Sequence, residues 1–164
     1  MIPPLRRLLC VALAAGSLLG LVGCGPPRKS VFPPSISIQQ MSVRPDGQWR
    51  LSLRIQNNSY GGMDFQSING ELKVANGIPV RLARRFELDI PAFAADVLQI
   101  DVLPTPAMSQ ALAAVAAKGS AGSLPYSVHG ISTALPEQEK QARDFDFHGD
   151  NWLSPVPGIA NTYR

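Results

Sequence analysis

Residues that carry chemistry are scarce in this chain. It holds two cysteines, Cys10 and Cys24, and two histidines, His129 and His148. A zinc site needs three or four protein ligands at set spacings, and a disulfide-stapled fold needs several cysteine pairs, so both classes are excluded. No Gly-x-Ser-x-Gly elbow and no Gly-x-x-x-x-Gly-Lys run occurs. The signatures of a hydrolase nucleophile and of a phosphate-cradling loop are therefore missing. Long apolar runs are lacking too, because Leu8–Val22 falls short of the roughly 20 residues that span a bilayer. No catalytic residue, cofactor, metal site or small-molecule substrate is indicated, and the chain is read as a non-enzyme.

What the N-terminus does hold is an ordered set of segments. Arg6 and Arg7 open it, the apolar run follows, and Gly23-Cys24 closes it. Basic, apolar and small, in that order, is the layout of a secretory signal peptide. Its last four residues, Leu21-Val22-Gly23-Cys24, resemble a bacterial lipobox. The resemblance implies cleavage before Cys24, diacylation of its thiol (palmitate-type chains) and, in most members, acylation of the new amine. One acyl chain gives only marginal membrane binding at about 0.8 kcal/mol per buried methylene, whereas two or three hold effectively permanently. In lipoproteins of diderm bacteria an Asp after the cysteine tends to retain the protein at the inner membrane. Gly25 stands there, which implies the outer membrane, facing the periplasm.

Removing residues 1–23 from the 164 leaves 141, a length suited to one domain with its own core. Cys10 departs with the signal and Cys24 is taken by lipid, so no disulfide remains. Arg6 and Arg7 are two of fifteen basic residues. Thirteen then face twelve acidic ones, for a net charge of +1. That balance argues against nucleic acid as a partner. Residues 24–35 carry the lipidated cysteine and a proline-rich tether, 36–150 the folded domain, and 151–164 an irregular proline-containing tail. Prolines at 26, 27, 33 and 34 disfavour helix and favour an extended spacer.

The domain is written in β patterns. Ile36, Ile38 and Gln40 alternate with polar residues up to Val43, and Pro45-Asp46-Gly47 marks a turn. Trp49, Leu51, Leu53 and Ile55 then alternate strictly with Arg50, Ser52, Arg54 and Gln56, one face dry and one wet. Asn57-Asn58-Ser59 and Gly61-Gly62 end that strand. Met63–Ile68 reads as a strand, Asn69-Gly70 as a tight hairpin turn and Glu71–Ala75 as its return. Asn76-Gly77 leads into Ile78–Leu82. Phe86, Leu88 and Ile90 alternate as far as Pro91, and Val97–Leu103 as far as Pro104. Pro106–Lys118 is the one helical segment, with Met108, Leu112 and Val115 on one face and Gly119 as its stop. Leu124–Ser132 and Asp144–His148 complete about seven strands, the pattern of an all-β antiparallel sandwich. Trp49, Phe65, Phe86 and Tyr126 are assigned to its core.

Between Gln48 and Ile131 the order of features resembles the type 2 late-embryogenesis-abundant family, also described as the water-stress and hypersensitive-response (WHy) domain. The matching pieces are Leu51–Gln56 with Asn57-Asn58-Ser59, then Ile68-Asn69-Gly70, Leu88-Asp89-Ile90-Pro91-Ala92, Val97–Val102, the helix, and Tyr126-Ser127-Val128-His129-Gly130. Asn58 replaces the proline of the family's Asn-Pro-Asn triplet. The resemblance implies an immunoglobulin-like or fibronectin-like sandwich, a role in desiccation or stress protection, and no catalytic motif.

Few polar groups remain as candidates. Asp144, Asp146 and His148 share a strand face, with Asp150 beside them. Oxygen-rich clusters suit calcium, but the calcium-loop spacing is missing, so a solvated face is expected. His129 and His148 are expected to be surface residues. Arg81, Arg84 and Arg85, expected in a loop, could meet phosphates of an anionic surface or an acidic partner, the alternative being simple solubility. Trp152, placed in the tail, is a candidate contact. The sequence thus supports an envelope lipoprotein that binds or shields at the membrane surface. The alternative is an adaptor holding an envelope protein complex through a sheet edge or Trp152.

Overall fold

The computed structural model describes residues 27–164, so the expected cleavage site and Cys24 lie outside the described residues. Eight strands make two antiparallel sheets that face each other as a β-sandwich. They are β1 (Ser35–Val43), β2 (Trp49–Gln56), β3 (Met63–Val74), β4 (Val80–Ile90), β5 (Ala95–Val102), β6 (Leu124–Pro136), β7 (Arg143–Leu153) and β8 (Thr162–Tyr163). One sheet has the order β5-β2-β1-β8 and the other β4-β3-β6-β7. Among the described residues the one α-helix, α1 (Pro106–Ala116), lies between β5 and β6. Among the described residues no helix is long and apolar enough to cross a membrane.

The strict alternation of β2 behaves as its pattern predicts. Trp49, Leu51, Leu53 and Ile55 are buried, and their neighbours are not. Phe65 and Tyr126 are likewise buried, while Phe86 is half-buried against the core. Helix α1 closes one end of the sandwich. The Thr105 hydroxyl accepts the Met108 amide at 3.2 Å as its N-cap, and Met108, Leu112 and Val115 face inward.

Two strands keep their apolar faces inward only by means of bulges. In β1 the register slips between Ile38 and Gln40, which moves Met41 rather than Gln40 to the core side. Tyr126 serves this irregularity: its hydroxyl accepts the Ile38 amide at 2.9 Å inside the core. In β3 the slip falls between Phe65 and Ser67. Without it, Met63 and Phe65 could not share a face with Ile68, Leu72 and Val74, because side chains alternate with a period of two.

The Asn69-Gly70 hairpin is a sequence expectation that the structure overturns. β3 runs through both residues as one strand, paired on one side with β4 and on the other with β6. The glycine answers a different need. Gly70 lies opposite Gly130 of β6. A Cβ on Gly70 would come within 2.3 Å of the His129 carbonyl oxygen, and one on Gly130 within 2.4 Å of the Gly70 Cα. The Phe147 ring covers this bare stretch, with its Cζ 2.9 Å from where a Gly70 Cβ would stand. Asn76-Gly77 is the true β3–β4 turn, with the Gly77 amide bonded to the Val74 carbonyl at 3.0 Å.

The tail is more ordered than its prolines suggest. Asn151–Leu153 extend β7, and Thr162–Tyr163 form β8 against Met41 and Ser42 of β1. Both β8 residues are buried. The domain therefore runs to the C-terminal residues rather than ending at 150.

Replacing Gly130 or Gly70 with alanine should destabilise the domain by about 1–3 kcal/mol through overpacking. Gly62→Ala, whose Cβ would meet nothing closer than 3.8 Å, should change little. Denaturant midpoints of the three variants check this.

Candidate functional site

Two chain crossings between the sheets, β2 to β3 (57–62) and β4 to β5 (91–94), lie at the end of the sandwich where β1 begins. We call it the tether end, and the opposite one the helix end. One side chain joins the two crossings. Asn57 is completely buried, at 0% exposure. Its Nδ2 donates to the carbonyls of Gly61 (2.9 Å), Ile90 (3.0 Å) and Pro91 (3.1 Å), and its Oδ1 accepts the Ser59 amide at 2.8 Å. A buried amide with this many partners holds both loops in one arrangement. The Asn57 amide adds a bond to the Ala94 carbonyl at 2.9 Å.

The residues that follow hold the segment leading into β1. Asn58 Nδ2 donates to the Pro33 carbonyl and the Ser35 hydroxyl, both at 2.9 Å. The Ser59 hydroxyl accepts the Phe32 amide at 2.9 Å, and the Tyr60 amide donates to the Ser30 carbonyl at 3.0 Å. Lys29 Nζ reaches the Glu137 carboxylate at 2.8 and 2.9 Å, and Glu137 also accepts the Gly62 amide. The expected free spacer over 25–35 is thus corrected: from Lys29 onward it is bonded along the domain.

Phe32, Tyr60 and Phe93 gather outside this network. Their rings stand 6.3 Å (Phe32 to Tyr60) and 4.8 Å (Tyr60 to Phe93, edge to face) apart. Exposures of 45%, 59% and 58% leave them largely in solvent. Phe93 also has a backbone φ of 57°, the left-handed region that bulky residues rarely occupy. Beside the cluster, Asp64, Glu87, Asp89 and Glu137 line an open groove of about 860 Å³ together with Lys29 and Pro91. Of these residues only Asp89 and Pro91 stand out in the sequence, within the Leu88–Ala92 match, and none as a functional group. Large aromatics inside turn segments, Tyr60 before Gly61-Gly62 and Phe93 after Pro91-Ala92, were the available signal.

The arginines expected in a loop lie on β4, an edge strand, instead. Arg81 and Arg85 oppose Glu71 and Ser67 on the outer face, whereas Arg84 opposes Ile68 on the other face of the strand; all three are exposed. Alternation puts Arg84 on the other face from Arg81 and Arg85 by register, yet on this edge strand all three border one shallow depression. Among the described residues none of the three forms an ion pair; Arg81 reaches the Asn69 side-chain oxygen at 3.4 Å. On an edge strand, charges of this kind discourage pairing with another chain.

His129 and His148 are cross-strand partners on the outer face of the β6–β7 pair. His148 Nε2 is 2.8 Å from Asp150, and His129 Nε2 is 3.7 Å from Glu71. Asp144 accepts the Thr133 hydroxyl at 2.7 Å. The acidic residues do share that solvated face, but among the described residues no three His, Cys, Asp or Glu groups converge to hold a metal ion. Trp152 is 63% exposed and lies in β7 at the helix end, not in the tail.

No family model matches the chain, and no curated protein does either. Several solved structures overlap it, among them the following two. An X-ray structure of a Northeast Structural Genomics Consortium target is 12% identical, covering 79% of this chain and 92% of its own with a TM-score of 0.47. A crystal structure of a protein from Archaeoglobus fulgidus is 11% identical, covering 77% of this chain and 100% of its own with a TM-score of 0.39.

Asn57→Ala should cost about 3 kcal/mol or more, because it strands several buried backbone groups at once; thermal unfolding of the variant measures this. Acid should act on the Lys29 contact. Hydrogen bonds from Lys29, then from the Gly62 amide, lower the Glu137 carboxyl below its ordinary 4.5. Its contribution is therefore complete above that value and is lost as pH falls below it. The Asp101 carboxyl on the other sheet, held at about 2 chiefly by the Arg50 hydrogen bond, stays ionised further into acid. Amides of residues 29–32 should accordingly exchange faster at about pH 3 than at pH 7 after correction for intrinsic rates, and Glu137→Gln should abolish the difference.

Proposed function

We propose that this protein is a lipid-anchored, non-enzymatic envelope lipoprotein whose β-sandwich binds or shields at the membrane surface under stress such as drying. The observation that carries the reading is Leu21-Val22-Gly23-Cys24, preceded by a basic and apolar leader and followed within a few residues by the folded domain. An anchor so close to a domain confines it to the bilayer surface. The type 2 late-embryogenesis-abundant resemblance over Gln48–Ile131 supplies the stress role, and its implied sandwich agrees with the two-sheet architecture. Gly25 after the cysteine favours the outer membrane, facing the periplasm.

A second reading, an adaptor for an envelope protein complex, draws on the helix end. Ile78, Leu103 and Trp152 stand there 74%, 74% and 63% exposed. Isolated apolar side chains are common on surfaces, but several at the end of a sandwich suit a protein contact.

The Cys24→Ser variant tests the anchor. Intact mass of the native protein should show cleavage before Cys24 plus acyl chains, and the protein should sediment with membranes. The variant should lack both properties, and cells carrying it alone should leak more after drying. An unmodified, soluble native protein overturns the anchor. Recovery of one dominant crosslinked partner, lost on Trp152→Ser, would favour the adaptor.

A further inference from the structure

We infer that Phe32, Tyr60 and Phe93 form a bilayer-contact patch that sits among electrically neutral lipid headgroups and orients the sandwich upright, tether end down. This inference rests on the anchor at Cys24. Three independent segments deliver the rings to one spot: the stretch before β1, the β2–β3 crossing and the β4–β5 crossing. All three are held by the Asn57, Asn58 and Ser59 network, so the patch is built on a rigid base. Phe93 has a left-handed backbone, and its carbonyl accepts Gln56 Nε2 at 2.9 Å, so the turn that presents its ring to solvent is itself held in place.

Chain length brings this patch to the membrane. Only Gly25, Pro26, Pro27 and Arg28 separate Cys24 from Lys29. A stretch of that length spans at most about 18 Å, whatever its path. Lys29 is fastened to Glu137 beside Gly61, the residue after Tyr60. An acyl-anchored Cys24 therefore keeps Tyr60 near the headgroup layer, where aromatic rings with a polar or quadrupolar edge are favoured. The groove carrying Asp64, Glu87 and Asp89 adjoins the patch and would repel anionic lipids. Neutral headgroups are the matching surface.

The native tryptophans make the test clean. Trp49 pairs with Val43 and Val102, and Trp152 with Pro125, so both lie toward the helix end. Full-length processed Tyr60→Trp or Phe93→Trp protein is reconstituted through its own anchor into phosphatidylcholine–phosphatidylethanolamine vesicles, plain or with brominated acyl chains. Both positions are exposed, so the fold tolerates the change. Bromine should cut reporter fluorescence about twofold while the native protein loses about a tenth or less, and Phe32→Ser added to Tyr60→Trp should weaken the quenching. A reporter unquenched in a protein that is acylated by mass and floats with vesicles overturns the patch and leaves the anchor standing. A blue shift that grows with protein density and ignores bromine assigns the patch to a second copy, which also overturns it. Absence of acyl chains in the mass removes the anchor and this inference together.

Discussion

The carboxamide of Asn57 is the constraint on which the tether end depends. A sandwich must carry its chain from one sheet to the other, and each crossing leaves backbone groups without a ladder partner. Here two crossings meet at one end, and a single buried side chain satisfies both, donating to Gly61, Ile90 and Pro91 and accepting from Ser59. An apolar residue in that place would leave carbonyls facing a dry interior, at about 1–3 kcal/mol for each unsatisfied group. Among the described residues no buried side-chain nitrogen or oxygen lacks a partner.

The neighbouring asparagine extends that function outward. Asn58 stands where the resembled pattern has proline, and its side chain uses donors that a proline lacks to hold Pro33 and Ser35. With Ser59, Tyr60 and Glu137 it converts a proline-rich stretch that reads as spacer into a bonded edge of the domain. The same loops that close the sandwich would thereby set the reach between the domain and the proposed anchor at Cys24. One set of hydrogen bonds thus serves both the stability of this end and, under the proposed anchor, the position of the domain.

Bulges play the matching role in the sheets. The slips at Gln39 in β1 and Gln66 in β3 turn an apolar series that changes parity midway into a single dry face. Tyr126 fills the first irregularity from the opposite sheet, so its hydroxyl links the two layers. Gly70 and Gly130 let two backbones approach where any side chain would intrude, and Phe147 covers the gap. Charges on β4 shield an edge that would otherwise be open to pairing.

Local sequence determined a good deal: the class of fold, the parity of β2, the face of α1 and the turns at Asp46-Gly47 and Asn76-Gly77. Those features depend on period, capping and backbone preference, which act within a few residues. The sequence alone also carries the lipobox reading, since Cys24 lies outside the described residues. Tertiary structure decided the rest. Asn69-Gly70 is a common turn pair, but here the facing Gly130 outweighed local preference. The polar residues Thr162 and Asn161 look like tail until β1 offers an unpaired edge. Arg81, Arg84 and Arg85 look like a loop until strand pairing places them on the edge strand β4. Asn57, Phe32, Tyr60 and Phe93 come from segments far apart along the chain. Their meeting follows from sheet order and crossing position, which no window of neighbouring residues can express.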